Sequence, residues 1–187
     1  SLHRMSSDRR FNDSSASQKT SGHQCEIDFG YFAAGELPRQ FSMSGVLVES
    51  VFRSVISADH ATVSVDSMSF LNNSSDHGGS GITATDSTVT VTRSLFDSNQ
   101  SQLNGAAIEM ESSGSLLVSD TTFHANQIAT TSIAQGGAIY SNGASVTLDR
   151  VLFNANKSAN SNGGAVDVEN ADLIIRNSTF TANQAQS

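Results

Sequence analysis

One pattern of apolar and polar residues recurs five times between Ala61 and Asn183. Each copy has two apolar residues separated by one residue, then a Phe five residues later, then an Asn three residues after the Phe. The Phe residues of successive copies are 26, 27, 30 and 27 residues apart. The apolar pairs are Val63 and Val65, Val89 and Val91, Leu116 and Val118, Val146 and Leu148, and Leu173 and Ile175. A fixed period of this length is typical of repeat proteins, in which each unit stacks on the next.

A second motif, which begins with glycine, lies between the copies. Its four members are Gly79–Ile82, Gly105–Ile108, Gly136–Ile139 and Gly163–Val166. Apolar residues at every second position indicate strands rather than helices, because successive side chains on a strand point to opposite faces. The Gly, Asn and Ser residues between them favour turns. About 27 residues, with three short strands and three turns, therefore close one coil.

Coils stacked about 4.8 Å apart make three parallel sheets around a narrow core. The sequence therefore predicts an all-β fold, a right-handed parallel β-helix or β-solenoid of about five coils. We expect the Phe column to stack inside it, and the Asn column to point inward as an amide ladder. The alternative for the Asn column is a set of turn residues facing solvent. The predicted structural ladder is Phe70, Asn73, Phe96, Asn99, Phe123, Asn126, Phe153, Asn156, Phe180 and Asn183.

A column of charged residues precedes the Phe column by three positions. It contains Arg93, Asp120 and Arg150 on successive coils, which predicts that Asp120 lies between two arginines. Opposite charges one strand apart support the register of a sheet. We interpret this column as part of the scaffold.

The chain divides at about residue 60 into a part that fits the repeat poorly and a part that fits it well. Residues 1–60 are expected to form an irregular N-terminal extension, a cap or a degenerate first coil, and Gly45–Val48 resembles the glycine-led strand. Residues 61–187 are expected to form the β-helix repeats and to stop in mid-coil. Because strand edges at the end of a β-helix are normally covered, we expect more chain or another molecule beyond Ser187.

Composition and charge narrow the classes of partner. The formal net charge is −8, and no cluster of Lys or Arg is present to replace phosphate counterions, so nucleic acid is not an expected partner. No apolar stretch approaches the roughly 18 residues needed for a membrane span. Cys25 is the one cysteine, so no disulfide can form within the chain.

One outward column of side chains is the candidate for chemistry. Directly after the glycine-led motif it reads Thr83, Glu109, Tyr140 and Asp167. Glu109 and Asp167 are two coils apart, roughly 9.6 Å, near the upper end for the carboxylate pair of an inverting glycosidase. Tyr140 between them would offer a surface for stacking a sugar. These three residues form a candidate glycan-binding face, and the alternative is that the carboxylates are solvated surface.

Other motifs argue against cofactors and catalytic machinery. The segment Gly78–Ile82 nearly matches a glycine-rich calcium-binding repeat, but Thr83 occupies the position where that repeat requires Asp. His60, His77 and His124 fall in unrelated places and are interpreted as turn residues rather than metal ligands. No Gly-x-Ser-x-Gly elbow occurs. We therefore expect no catalytic residues, no metal site and no cofactor.

The pairing of Gly-Gly-Ala-Ile, complete at Gly136–Ile139, with five Phe-x-x-Asn motifs resembles the repeats of the polymorphic outer-membrane proteins of chlamydiae. The resemblance covers about two thirds of the chain. The first two glycine motifs depart from it, reading Gly-Ser-Gly-Ile and Gly-Ala-Ala-Ile. The resemblance implies a secreted, surface-exposed passenger region of the autotransporter kind, typically adhesive.

These observations favour a non-enzymatic, extracellular β-helix stalk that acts as a surface adhesin or a structural scaffold within a longer protein. The expected partner is a host-surface protein or glycan, or neighbouring subunits of the same assembly. One alternative is the coil region of a polysaccharide lyase or glycoside hydrolase. A second alternative is a subunit of an extracellular filament or large assembly.

Overall fold

The chain is all β in the residues that the structure, a computed structural model, describes: 17–20, 25–29, 39–129, 134–158 and 162–185. These residues form 22 strands and no helix. In chain order the strands are β1 (Ser17–Thr20), β2 (Cys25–Phe29), β3 (Arg39–Ser44), β4 (Leu47–Glu49), β5 (Ile56–Asp59), β6 (Ala61–Asp66), β7 (Ser69–Leu71), β8 (Ser74–Ser75), β9 (Ile82–Thr92), β10 (Leu95–Asp97), β11 (Gln100–Ser101), β12 (Ile108–Ser119), β13 (Thr122–His124), β14 (Gln127–Ile128), β15 (Ile139–Asn142), β16 (Ser145–Asp149), β17 (Leu152–Asn154), β18 (Lys157–Ser158), β19 (Val166–Glu169), β20 (Leu173–Arg176), β21 (Thr179–Thr181) and β22 (Gln184–Ala185).

The strands assemble into three sheets, as the sequence predicts. Sheet A has 11 strands, sheet B has the order β21-β17-β13-β10-β7-β4, and sheet C has the order β22-β18-β14-β11-β8. Sheet A contains two rows, one ending in β15 and β19 and the other in β16 and β20, which are joined because β9 and β12 run through both. Some coils therefore have four strands rather than the expected three. All pairings are parallel except that of β1 with β2.

The Phe column forms a continuous stack inside the coils. Phe96 pairs with Phe70 below it and with Phe123 above it in register. Neighbouring ring centroids along the column lie 4.4–4.9 Å apart, with planes 7–13° from parallel. Each such pair contributes about 0.5–1.5 kcal/mol beyond the burial of its surface. Phe180 is 42% exposed, since no further coil among the described residues lies beyond it.

The Asn column points inward and links the coils. The side-chain amide of Asn99 donates to Oδ1 of Asn126 at 2.9 Å and to the carbonyl of Phe70 at 2.9 Å. The backbone N–H of Asn99 donates to the same Oδ1 at 3.1 Å. Four members of the column are fully buried, namely Asn73, Asn99, Asn126 and Asn156. These amides satisfy backbone groups at a turn that the sheet ladders do not reach.

The described residues before Ala61 continue the same stack. Strand β3 pairs with β6 over its whole length, and β4 pairs with β7, so that Val48 lies below Phe70. The interpretation of Gly45–Val48 as a glycine-led strand is therefore wrong, because this segment occupies the position of the Phe strand. A Gly followed by alternating apolar residues suits both positions in the coil. The domain boundary near residue 60 stays a prediction.

The charged column lies at a bend between sheets A and B, where its residues have positive φ. Arg150 forms two hydrogen bonds with Asp120, at 2.6 and 2.9 Å, and also contacts Asp149. Arg93, however, forms its ion pair with Asp66 at 2.6 Å. Asp120 thus lies between Arg93 and Arg150 of the adjacent coils, as expected, and it forms its ion pair with Arg150.

Candidate functional site

The outward column that contains Glu109 is a row of register neighbours on sheet A. Glu109 pairs with Thr83 on one side and with Tyr140 on the other, and Tyr140 pairs in turn with Asp167. The next outward column along the same strands runs Thr85, Glu111, Asn142 and Glu169. We call Glu109, Glu111, Tyr140, Asp167 and Glu169 the acidic face.

A glycine-rich connection covers the lower edge of the acidic face. This connection, residues 76–81, is called the glycine loop, and it joins sheet C to the start of β9. Oγ1 of Thr83 lies 3.2 Å from the carbonyls of both Gly78 and Gly79, and 2.7 Å from Oγ of Ser54. A Cβ at Gly78 would overlap the carboxylate of Glu109, so the loop can approach this closely because the residue is glycine.

Two members of the candidate glycan-binding face are buried. Tyr140 is 4% exposed and Glu109 is 8% exposed, while Asp167 is half-buried. The expectation of an outward aromatic ring available for stacking on a sugar is therefore wrong, because the protein's own atoms cover that ring. Whether the acidic face binds a glycan stays a prediction.

The upper part of the acidic face is held by hydrogen bonds that the sequence did not suggest. The hydroxyl of Tyr140 donates to Oε2 of Glu169 at 3.2 Å, and the amide of Gln135 donates to Oε1 at 2.7 Å. Glu169 is thereby fixed by two donors. The 30-residue spacing between Phe123 and Phe153 is the signal that could have drawn attention to the longer connection that carries Gln135.

Burial and like charge dominate the electrostatics of the acidic face. Burial, with a contribution from the charge of Glu111, raises the pKa of Glu109 to about 7. The pKa values of Glu111 and Asp167 are raised in the same direction, first by burial and then by the charge of Glu169. Oδ2 of Asp167 is buried and has no hydrogen-bond partner among the described residues.

Three carboxylates outside the acidic face have pKa values shifted in the opposite direction. Hydrogen bonds from Thr92, Ser113 and Arg150 lower the pKa values of Asp66, Asp86 and Asp120, respectively. Such donors stabilise the charged form. Glu109 and Glu111 thus differ from these three carboxylates in having no hydrogen-bond donor among the described residues, whereas Glu169 is held by two donors.

The described residues offer no metal centre. No group of three or more His, Cys, Asp or Glu side chains in that part of the chain is arranged to hold a metal ion. Each of the three described histidines lies beside an aspartate: His60 is 2.7 Å from Asp59, His77 is 3.2 Å from Asp76, and His124 is 2.8 Å from Asp97. No helix suited to crossing a bilayer occurs among the described residues.

Residues 53–187 match the family described as right handed beta helix region. The chain belongs to this family. The match confirms the predicted right-handed β-helix. Comparisons with curated proteins and with solved structures found no match. Right-handed β-helices occur in structural proteins and also in polysaccharide lyases and hydrolases, so membership leaves the activity of this β-helix open.

Proposed function

We propose that this β-helix is a non-enzymatic, extracellular stalk, which acts as a surface adhesin or a structural scaffold and presents its outer sheets to a host-surface protein or a glycan. The interior supports such a role. The Phe stack and the Asn ladder connect every coil to the next along the axis, and each coil contacts its neighbours through all three sheets. A continuous core of this kind favours a stiff rod.

The observation that carries the proposal is the burial of the one candidate catalytic column. A polymer-acting enzyme needs a cleft in which its carboxylates meet the substrate. Here the ring of Tyr140 and the carboxylate of Glu109 lie beneath covering atoms, and they offer no surface to a sugar. A groove at the last described coil, where no further described coil covers the interior, is lined by Val166, Phe180 and Asn183.

The test combines a binding assay and a turnover assay on the purified chain. Immobilised matrix proteins and a glycan panel are probed for binding, and polyuronates and neutral glycans are incubated with the chain while new reducing ends are measured. We expect at most binding, without turnover. Sustained release of reducing ends from any one polymer would overturn the proposal, and failure to bind any target would remove its adhesive part.

A polysaccharide-acting enzyme is the second candidate, and one observation favours it. A carboxyl group with a pKa of about 7, as for Glu109, is suited to donate a proton at neutral pH. Asp167, two coils away, would then be the base that activates water. If the turnover assay is positive, the double change Glu109→Gln and Asp167→Asn should abolish it. A matched Glu49→Gln change on the exposed end of β4 should leave it intact.

A further inference from the structure

A column of buried hydroxyl groups forms a second ladder at the bend between sheets A and B, one residue after the charged column. Oγ of Ser94 accepts from the backbone N–H of Met68 at 3.1 Å, and Oγ1 of Thr121 accepts from that of Ser94 at 3.2 Å. Each hydroxyl donates in turn to a carbonyl two residues earlier, that of Thr92 or of Ser119. Every complete rung of this hydroxyl column therefore ties two adjacent coils together.

Val151 interrupts the hydroxyl column. It is almost fully buried, lies one coil beyond Thr121 in register, and has no side-chain oxygen. The backbone N–H of Thr121 therefore has no acceptor in the described part of the chain. The column resumes one coil later, where Oγ of Ser178 accepts from the backbone N–H of Val151 at 3.0 Å. A buried donor without a partner weakens the contact between the two coils at this bend.

An ion pair lies on the outer side of the same bend. Arg150 directly precedes Val151, and its guanidinium binds both carboxylate oxygens of Asp120, on the previous coil, at 2.6 and 2.9 Å. The bend one coil earlier, between Ser94 and Thr121, has the opposite arrangement. Its hydroxyl rung is complete, and no ion pair among the described residues joins the two coils there. The two kinds of contact thus replace each other at successive bends.

We propose that the pair of Asp120 and Arg150 is an ionic joint, which holds two adjacent coils together in place of the hydroxyl rung missing at Val151. The two side chains are 43% and 54% exposed, so salt reaches the pair. Raising the ionic strength from 0.1 to 1 M shortens the Debye length from about 10 to about 3 Å and weakens an exposed pair. A buried hydroxyl rung carries no net charge and escapes this screening. Salt therefore loosens the ionic joint while the bend before it stays closed.

Hydrogen exchange at matched amides of the two bends tests the proposal. At the ionic joint, the backbone N–H of Leu152 donates to the carbonyl of Thr121 at 3.0 Å. At the preceding bend, the backbone N–H of Thr122 donates to the carbonyl of Ser94 at 3.0 Å. We expect the protection factor of Leu152 to fall about threefold between 0.1 and 1 M NaCl, and that of Thr122 to change less than about 1.5-fold. Equal changes at the two amides would overturn the proposal.

Removing the ion pair provides the second measurement. Asp120→Asn keeps the size of the side chain, so the protection of Leu152 at 0.1 M NaCl should fall about threefold and lose its dependence on salt. The control Glu49→Gln removes a charge from the exposed end of β4 and should leave both properties unchanged. A salt dependence that survives Asp120→Asn would refute the ionic joint.

Restoring the hydroxyl rung provides the third measurement. Val151→Thr supplies an acceptor to the backbone N–H of Thr121, so the protection of Leu152 should rise about tenfold. The control Val146→Thr places a hydroxyl at another fully buried position, where no donor waits for it, and should lower the midpoint of thermal unfolding. Equal losses of stability in the two variants, or no rise in the protection of Leu152, would overturn the inference that a rung is missing at this bend.

Discussion

Replacing Asn126 with Ala removes the central rung of the amide ladder. Its side-chain amide donates to Oδ1 of Asn156 at 2.9 Å and to the carbonyl of Phe96 at 3.0 Å. Its Oδ1 accepts from the backbone N–H of Asn99 at 3.1 Å and from the side-chain amide of Asn99 at 2.9 Å. The change therefore removes four hydrogen bonds at a fully buried position.

The magnitude follows from the groups left behind. The backbone N–H of Asn99 loses the acceptor it has in the structure, whereas the side-chain amide of Asn99 keeps the carbonyl of Phe70. A buried donor without a partner costs about 1–3 kcal/mol. The side-chain amide of Asn99 and the carbonyl of Phe96 each lose one hydrogen bond as well. We therefore expect the free energy of unfolding to fall by about 3 kcal/mol in total.

Chemical denaturation followed by circular dichroism measures this loss, and the neighbouring residue provides the control. Gln127 is exposed and carries an amide of similar size on the same turn, so Gln127→Ala should change the free energy of unfolding by less than about 0.5 kcal/mol. The same limit applies to the outward Thr147→Ala. Equal effects of Asn126→Ala and Gln127→Ala would refute the inference that the ladder carries stability.

Three further outcomes are expected. Gly137→Ala should destabilise the chain, because its Cβ would overlap the backbone carbonyl oxygen of Gly164 on the next coil, and thermal unfolding measures the effect; an unchanged midpoint would contradict this close packing of the two coils. In a eukaryotic secretory host, peptide mapping should find glycan on the exposed sequon at Asn72 but none on the buried one at Asn99, and glycan at Asn99 would contradict its burial. Asp120→Asn should cost stability at neutral pH and have no effect well below pH 3.8, since the partner arginine lowers the pKa of Asp120; a cost that persists in acid would exclude this ion pair as its cause.

The repeated columns could be predicted from the sequence because the same residue type recurs at the same position of every repeat. An inward Phe123 with an inward Asn126 makes sense only if the same two positions recur on adjacent coils, and they do at every period. Stacking then follows from strand geometry, without knowledge of any loop. The fold and the ladder depend on this local regularity.

The burial of the acidic face could not be predicted in the same way. At Glu109 it depends on how closely Gly78 of the glycine loop approaches the carboxylate, and at Glu169 it depends on the longer connection that carries Gln135. Nothing in the alternation of residues around Tyr140 distinguishes an outward ring in water from one beneath a loop. The partner of Arg93 was missed for a related reason, because a long side chain at a bend can reach more than one carboxylate.

The Asn ladder produces a dipole along the axis of the stacked coils. From Asn73 to Asn183, each side-chain amide donates to the oxygen of the Asn one coil further along, and this sense is never reversed over four successive bonds. The amide dipoles are therefore aligned head to tail, as peptide dipoles are in an α-helix, but with the donor end toward the C-terminal coil. Aligned bonds polarise one another, so each rung should strengthen its neighbours. The two ends of the column thus differ in sign, with the C-terminal end more attractive to anions and the N-terminal end more attractive to cations.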